Sequence, residues 1–331
     1  MNKPKLEQRL EQLRQLRSAA PNEEVVVALS KALKDRSNLI VAEAGKTIAE
    51  LRMSQMVPAL LEAFDRLFED PAKSDSKCWG KTAIAKALTE LEHAESPPFI
   101  RGSRHVQMEA VWGGQEDAAP PLRATCLLAL VQCDDLRRPE IFRHLVDGLA
   151  DPADPVRLEA VRAIAQMNGD EASILLRLKA RLGDRRPVVT GHVFDALLVL
   201  EGEKAIDFVA EHLESTSNEV RDEAALSLGG SRLAKSIDVL TQAWRHSHDP
   251  EFRSVVLRAL SSSREESAID FLLDIVRNGT TRDSVAAAEA LKLHEHSPEI
   301  SARLEQGAFR FEIEIEFGDG ALISPNEFKE I

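Results

Sequence analysis

Residues 220–230 read V-R-D-E-A-A-L-S-L-G-G, and this stretch decides the fold. Its small and apolar residues recur at helical spacing and therefore share one face: Val220, Ala224, Ser227 and Leu228. Gly229 and Gly230 follow, and glycines in that place predict a glycine-capped end of the helix. Because a single helix of this kind leaves its apolar face uncovered, it requires neighbours of similar pattern.

The same pattern recurs eight times along the chain, in segments that we call signature helices. The residues equivalent to Val220 are Ile40, Gly80, Leu122, Val156, Val189, Val220, Phe252 and Asp283. Eight positions further on, every segment has an aliphatic residue: Ile48, Leu88, Leu130, Ile164, Leu197, Leu228, Leu260 and Leu291. A small residue precedes each of these: Thr47, Ala87, Ala129, Ala163, Ala196, Ser227, Ala259 and Ala290. The intervals also hold partner helices, which predicts an α-solenoid of helix pairs.

Three units carry a more specific pattern. They read D-P-A-D-P-V-R-L-E-A-V-R-A-I at 151–164, N-E-V-R-D-E-A-A-L-S-L-G at 218–229 and D-P-E-F-R-S-V-V-L-R-A-L at 249–260. These units resemble HEAT repeats, in particular the short HEAT-like type also found in phycobilisome lyases. The resemblance covers residues 21–306 and implies an all-α fold, a right-handed α-α superhelix of about eight helix pairs. It implies little about activity, because such proteins are mostly protein-binding scaffolds with a few enzymes among them.

The resemblance also implies a structural role for four arginines. HEAT repeats carry an arginine one residue after the Val220 position, where it typically bonds to an aspartate or a carbonyl of an adjacent turn. The residues at that position are Arg123, Arg157, Arg221 and Arg253. The alternative is that these side chains contact a ligand.

The two ends of the chain depart from the repeat. Residues 1–20 contain an amphipathic helix, which predicts a cap on the open end of the stack; a coiled-coil contact is the alternative. Residues 307–331 include F-R-F-E-I-E-I-E-F at 309–317 followed by G-D-G, which predicts a β-hairpin. An isolated hairpin is marginal in water, so we expect it to form a C-terminal cap or to pair with another chain in an oligomer.

Two of the intervals between signature helices are longer than the others. Residues 70–80 read as a polar loop, and residues 92–121 form an insertion whose prolines and glycines predict no normal first helix. Within the insertion, residues 105–112 alternate apolar and polar, which predicts a short strand or an extended segment. Long non-repeating loops often carry the function of a solenoid. The alternative is a packed loop in which Trp112 covers the edge of a repeat.

Composition limits the classes of partner. A formal net charge of −13 lacks the general basic surface that nucleic acids and anionic membranes require. The first 19 residues contain no continuous apolar segment, so we predict neither a signal peptide nor a membrane anchor and expect a cytoplasmic protein. The three cysteines are Cys78, Cys126 and Cys133, whose number and spacing predict neither a disulfide framework nor a zinc site.

No catalytic constellation is visible in the sequence, so we predict a protein that is not an enzyme and needs no cofactor. Deoxyhypusine hydroxylases hold di-iron with His-Glu pairs on their HEAT-like signature helices. The matching positions here are Ala42-Glu43, Thr82-Ala83, Ala124-Thr125, Leu158-Glu159, Gly191-His192, Asp222-Glu223, Ser254-Val255 and Val285-Ala286, without a His-Glu pair. A HEAT-like DNA glycosylase would need a basic groove and an aromatic pocket, yet aromatic residues make up only 5% of the chain.

The predicted inner surface is basic in the first half of the chain. The exposed position six residues into the signature helix holds Lys46, Lys86 and Arg162 there. We therefore predict that this half binds an acidic protein segment, with help from the insertion. The predicted partner-binding residues are Lys46, Lys86, Arg101, Arg104, His105, Glu109, Trp112 and Arg162. The alternatives are a solvated mixed-charge face and, for the whole protein, a phycobilin-lyase-like enzyme or chaperone acting on a bound chromophore or protein.

Overall fold

The computed structural model describes residues 3–18, 22–294, 296–300 and 302–303, most of which lie in helices. Its α-helices are α1 (Lys3–Gln15), α2 (Glu23–Leu33), α3 (Asn38–Glu50), α4 (Val57–Arg66), α5 (Pro71–Ser74), α6 (Trp79–Glu90), α7 (Pro97–Ser103), α8 (Pro120–Leu130), α9 (Arg138–Leu149), α10 (Asp154–Met167), α11 (Gly169–Leu182), α12 (Pro187–Glu201), α13 (Ile206–Ala210), α14 (Asn218–Gly230), α15 (Ala234–His246), α16 (Pro250–Ser263), α17 (Glu266–Asn278) and α18 (Thr281–Leu291). Two strands, β1 (Met108–Val111) and β2 (Gly114–Asp117), form an antiparallel hairpin. Single 3-10 turns lie at Leu16–Ser18, Ser54–Met56, Ser76–Cys78, Gly202–Ala205, Glu211–Glu214 and Lys292–His294.

The helices pack as consecutive pairs in two compact units, Met1–Met167 and Asn168–Ile331. The pairs of the first unit are α2–α3, α4–α6, α7–α8 and α9–α10, and those of the second are α11–α12, α13–α14, α15–α16 and α17–α18. The second helix of every pair is one of the predicted signature helices. Each signature helix contacts the next one within its own unit, and the predicted all-α fold of helix pairs is confirmed.

The repeated aliphatic position explains why the signature helices stack. All eight of its residues, from Ile48 to Leu291, are at most 1% exposed. Burying one such side chain contributes about 2 kcal/mol, and the small residue before it lets the neighbouring backbone come close. Ser227 shows this approach directly, because its hydroxyl on α14 donates a hydrogen bond of 3.2 Å to the carbonyl oxygen of Gly191 on α12.

Gly229 and Gly230 do not form the helix cap that the sequence predicts. Helix α14 does end at Gly230, but the left-handed backbone that follows belongs to Arg232 (φ 54°), so the predicted glycine cap is wrong. Gly229 instead lies against α16, where an added Cβ atom would stand 2.1 Å from the carbonyl oxygen of Ala259. The absence of a side chain at Gly229 therefore allows α14 and α16 to pack closely.

This contact predicts opposite effects for two neighbouring substitutions. We expect Gly229→Ala to lower the free energy of unfolding by about 2 kcal/mol, because α14 and α16 must separate to admit the methyl group. Gly230→Ala is the matched control: no atom beyond its own helix turn lies within 4 Å of its Cβ position, so better helix propensity should stabilise the protein by up to about 1 kcal/mol. Urea denaturation of both variants measures the difference, and equal shifts would contradict the close-approach explanation.

The ends of the chain are described only in part. Helix α1 lies against α3, with Leu13 buried and Arg17 paired to Glu43 at 2.6 Å and to Glu50 at 2.8 Å. The predicted C-terminal hairpin at 307–331 lies outside the described residues. Its docking on the repeats and its pairing with another chain therefore stay predictions.

The insertion at 92–121 contains a helix as well as a hairpin. Pro97 and Pro98 occupy the first turn of α7, where a missing N–H costs no hydrogen bond, so the expectation that they exclude a first helix is wrong. The predicted strand is present as β1. Trp112 and Gly113 form the turn, Gly113 with φ +91°, and Trp112 is 96% exposed. The alternative in which Trp112 covers the edge of a repeat is therefore wrong.

Candidate protein-interaction groove

A groove of about 490 Å³ lies along α3, within the first unit. Its floor and walls come from α1, α3 and α6, and the two signature helices contribute residues at the same i, i+3, i+4, i+7 spacing. The lining residues are Leu10 and Arg14 of α1, Leu39, Ala42, Glu43 and Lys46 of α3, Trp79, Thr82, Ala83 and Lys86 of α6, and Lys77 and Pro121. The volume falls within the usual range of protein binding sites.

One end of the groove is basic. Lys46 and Lys86 are exposed at equivalent positions near the carboxyl ends of α3 and α6. Neither ammonium group has an ion-pair partner among the residues that the structure describes. Glu43, the carboxylate that also lines the groove, is already paired with Arg17 at 2.6 Å and with Arg14 at 3.5 Å. The two lysines are therefore the cations available to a ligand at this end.

The other end of the groove combines apolar side chains with one lysine. Leu39 and Trp79 line the groove from near the amino ends of their helices, and Trp79 is 47% exposed. The ammonium group of Lys77 lies 5.3 Å from the centroid of a Trp79 ring, and the carboxylate of Glu109 accepts the Lys77 backbone N–H at 2.6 Å. Trp79 was not among the predicted residues, although it directly precedes the first position of a signature helix.

The other predicted partner-binding residues do not line this groove. Arg101 pairs with Asp65 at 2.6 Å and stacks over Phe68 at 3.9 Å, while Arg162 pairs with Glu159 at 2.7 Å. Trp112 stands at the tip of the hairpin. The groove therefore unites only Lys46 and Lys86 of the predicted set.

Arg104 lines a second, smaller cavity of about 240 Å³, together with His144 and Asp147. Burial, and then the positive charge of Arg104, lower the pKa of His144 below its ordinary value. The imidazole is therefore neutral at pH 7, and the cations that line this cavity are Arg104 and Arg123.

A buried polar cluster connects the 70–80 segment to the insertion. Asp75 and Lys81 are both fully buried, and the Lys81 Nζ atom lies 3.1 Å from the Asp75 carboxylate. Lys81 also donates to the carbonyl oxygen of Leu67 at 3.1 Å and to the Gln107 side chain at 3.0 Å. Asp75 accepts the backbone N–H groups of Gly80 and Lys81, so it caps α6. The reading of 70–80 as a polar loop missed this burial.

His105 and Glu109 take part in anchoring the insertion. The Gln107 amide donates to Glu109 at 2.6 Å and to the carbonyl oxygen of Asp75 at 2.8 Å, and the His105 ring lies 3.1 Å from the Gln107 oxygen. Burial lowers the pKa of His105, so its ring is neutral at pH 7. Burial raises the pKa of the Cys78 thiol to about 12, so this thiol stays protonated and can donate to Gln107 at 3.1 Å. These two predicted partner-binding residues thus make internal contacts.

The four repeat arginines bond to aspartates or carbonyls of adjacent turns. Arg221 pairs with Asp249, Arg253 binds Asp283 at 2.8 and 3.1 Å, and Arg157 donates to the carbonyl oxygen of Asp151 at 2.9 Å. Arg123 binds Asp151 through two nitrogens, at 2.7 and 2.9 Å. It also binds Asp117 of the hairpin at 2.6 Å. All four side chains therefore make internal contacts in the described structure.

A family model described as HEAT repeats matches residues 142–229 and 206–292. The chain contains HEAT repeats. Solved structures similar to this HEAT-repeat chain include YIBA_ECOLI, at 16% identity over 85% of this chain and 96% of that chain, with a TM-score of 0.48. Human deoxyhypusine hydroxylase in complex with glycerol aligns at 18% identity over 88% and 91%, with a TM-score of 0.30. An engineered protein aligns at 16% identity over 91% and 89%, with a TM-score of 0.34. No curated protein sequence matches the chain.

Two kinds of feature are absent from the residues that the structure describes. No three His, Cys, Asp or Glu side chains are grouped there in a way that would hold a metal ion. Within the same residues, no helix combines the length and the apolar character needed to cross a bilayer. His192, the histidine on a signature helix, has its Nδ1 atom 2.9 Å from the carbonyl oxygen of Val188, which accounts for one of its two ring nitrogens.

Proposed function

We propose that this HEAT-repeat chain is a non-catalytic scaffold that binds an acidic segment of a protein partner in the groove along α3. The observation that carries this proposal is the pair Lys46 and Lys86, two ammonium groups without ion-pair partners in the described structure, at one end of a groove of about 490 Å³. Stacked repeats typically present extended binding surfaces of this kind. The three buried free cysteines fit the reducing cytoplasm as its location.

The charge distribution supports a protein segment over a nucleic acid. The chain as a whole carries a formal net charge of −13, so its long-range field repels a polyanion. A nucleic acid also needs a series of phosphate contacts along a basic surface, whereas the groove offers two unpaired lysines at one end. A short run of carboxylates needs no more than this local positive site.

The proposal is tested by reversing the two lysine charges. We expect Lys46→Glu/Lys86→Glu to weaken partner binding by at least about tenfold, because two favourable charge pairs become two repulsions. The measurement is affinity purification with quantitative mass spectrometry from the native organism, using the full chain as bait.

Lys31→Glu/Lys34→Glu is the matched control, since it makes the same change in net charge at the carboxyl end of α2 and the residue that follows it, outside the groove lining. It should retain the proteins that the unaltered chain captures. Equal recovery of the same proteins by the unaltered chain and by the Lys46→Glu/Lys86→Glu variant would overturn the proposal.

A further inference from the structure

We propose that residues 309–317 of this chain, which we call the tail segment, dock on helix α11 of the same molecule. The docking site is a row of three aliphatic side chains, which we call the α11 stripe: Ile174, Leu178 and Leu182. The stripe is exposed where the other repeats are polar, the described chain ends within reach of it, and its surroundings are opposite in charge to the tail segment. This surface belongs to the second unit and is separate from the groove along α3.

The α11 stripe lies on the solvent-facing side of its helix. Its residues follow one another at intervals of four, so they share one face. Each stands two positions after a residue that α11 buries as it packs on α12, and two positions along a helix lead to the opposite side. In the part of the chain that the structure describes, Ile174, Leu178 and Leu182 are 68, 53 and 76% exposed. A contiguous exposed apolar surface marks an interaction site.

The equivalent positions are polar in the other helix pairs of the second unit. Aligning the buried residues of the first helix of each pair gives the matches to the α11 stripe. They are Asp207, Glu211 and Ser215 in and after α13, Asp238, Gln242 and His246 in α15, and Asp270, Asp274 and Asn278 in α17. The solvent-facing side of these repeats thus carries polar residues, and α11 differs at all three positions. This difference points to a partner that covers the stripe.

The described chain ends on the same side of the second unit. Arg303 pairs with Asp270, which occupies on α17 the position that Ile174 occupies on α11. The helix pairs from α11 to α17 follow one another in order, and neighbouring helices lie at most about 10 Å apart, so α11 is at most about 30 Å from α17. An extended chain covers this distance in about nine residues, at about 3.3 Å each. Counted from Arg303, the residues that reach α11 are therefore those of the tail segment.

The tail segment has apolar residues of its own to bury. It reads F-R-F-E-I-E-I-E-F, in which apolar and charged residues alternate. Such alternation puts all the apolar side chains on one side of an extended chain. The residues on that side are Phe309, Phe311, Ile313, Ile315 and Phe317. Contact with the α11 stripe removes both apolar surfaces from water.

Charge favours the tail segment as the occupant. Residues 177–186 carry five cations and one carboxylate. Two further carboxylates pair with this region, Glu201 with Arg177 and Glu211 with Arg181, and cations remain in the majority. The tail segment holds three glutamates and one arginine. A basic region attracts such an acidic segment, and the covalent connection keeps the segment at a high effective concentration.

Hydrogen exchange of the full chain, followed by mass spectrometry, tests the docking. We expect the amides of the tail segment to exchange at least about tenfold more slowly than those of a synthetic peptide 309–317. The variant Ile174→Asp/Leu178→Gln/Leu182→His should lose this protection. It should still fold, because it gives α11 the residues that α15 carries at these exposed positions. Val27→Asp, at an apolar side chain of α2 that is 62% exposed, is the control and should keep the protection.

A disulfide then distinguishes the same molecule from a second copy. The cysteines already in the chain are buried, so in Leu178→Cys/Ile313→Cys the two new thiols are the accessible ones among the described residues and the tail segment. We expect mild oxidation to join them within a monomer, and protection of the tail segment to be independent of protein concentration. A disulfide-linked dimer, or protection that rises with concentration, would overturn docking within one molecule and assign the α11 stripe to a second copy. Equal protection in the triple variant would overturn the docking site, and exchange as fast as that of the synthetic peptide would overturn the docking itself.

Discussion

Asp75→Ala is expected to lower the free energy of unfolding by about 4 kcal/mol, because it leaves the ammonium group of Lys81 buried without a counter-ion. A lone buried charge costs far more than the buried pair contributes. The same substitution removes the cap of α6, since Asp75 accepts hydrogen bonds from the backbone N–H groups of Gly80 at 2.7 Å and Lys81 at 2.9 Å. Chemical denaturation followed by circular dichroism measures the loss.

A second substitution separates the two causes. Adding Lys81→Met to Asp75→Ala removes the buried charge and keeps an apolar side chain of similar length, so we expect it to recover about 2 kcal/mol of the loss. The remaining deficit then reports the lost cap and the lost hydrogen bond from Asn38, which is 3.0 Å from Asp75. Asp70→Asn is the control, because Asp70 is exposed and pairs with Lys73 in the same segment, and asparagine tolerates the left-handed backbone of this residue (φ 48°). A double variant no more stable than Asp75→Ala would refute the ion-pair explanation.

Much of the fold was predictable from the sequence because its determinants are local and repeated. Each buried aliphatic position, such as Leu228, lies in a short segment whose periodicity is readable by itself, and eight copies fix the register. Helix α7 was not predicted, because Pro97 and Pro98 were read as helix breakers when they occupy a first turn. The close approach at Gly229 was not predictable either, since it depends on the backbone of a helix about 30 residues away.

Some residues of the candidate site were likewise predictable from the sequence, and others were not. Lys46 and Lys86 were predicted because they occupy one position of the repeat, and the groove brings them together. Trp79 lies outside the repeated positions, so the pattern gave no signal for it. The sequence did contain a sign of the buried cluster, because Lys81 stands where four other repeats have an arginine. Its partner Gln107 lies 26 residues further on in a non-repeating insertion, and no periodicity connects the two.

Arg123→Met is expected to lower the free energy of unfolding by about 3 kcal/mol at pH 7, because one buried guanidinium joins three separate segments. Arg123 binds Asp117 of the hairpin, Asp151 of the turn before α10 and the carbonyl oxygen of His105 at 2.9 Å. Methionine fills much of the space but leaves the two carboxylates without their cation. Arg123→Lys should recover only part of the loss, since an ammonium group does not reproduce the two-nitrogen contact with Asp151. Arg137→Met, at an exposed pair with Glu140, is the control and should leave stability unchanged.

The pH dependence of this loss tests whether the carboxylate of Asp117 contributes to it. Burial alone would raise the pKa of Asp117, but hydrogen bonds from the backbone N–H groups of Ala119 and Gln107 and from Arg123 hold that pKa below its ordinary value. A lowered native pKa contributes stability that is complete above the unfolded-state pKa of about 3.9 and is lost as the pH falls through the native pKa. Arg123→Met removes part of this lowering, so the stability gap between the unaltered chain and the variant should be widest above about pH 5 and should narrow below about pH 4. Denaturation series from pH 7 to pH 3 measure the gap, and a gap that stays constant across that range would show that the carboxylate of Asp117 contributes nothing to it.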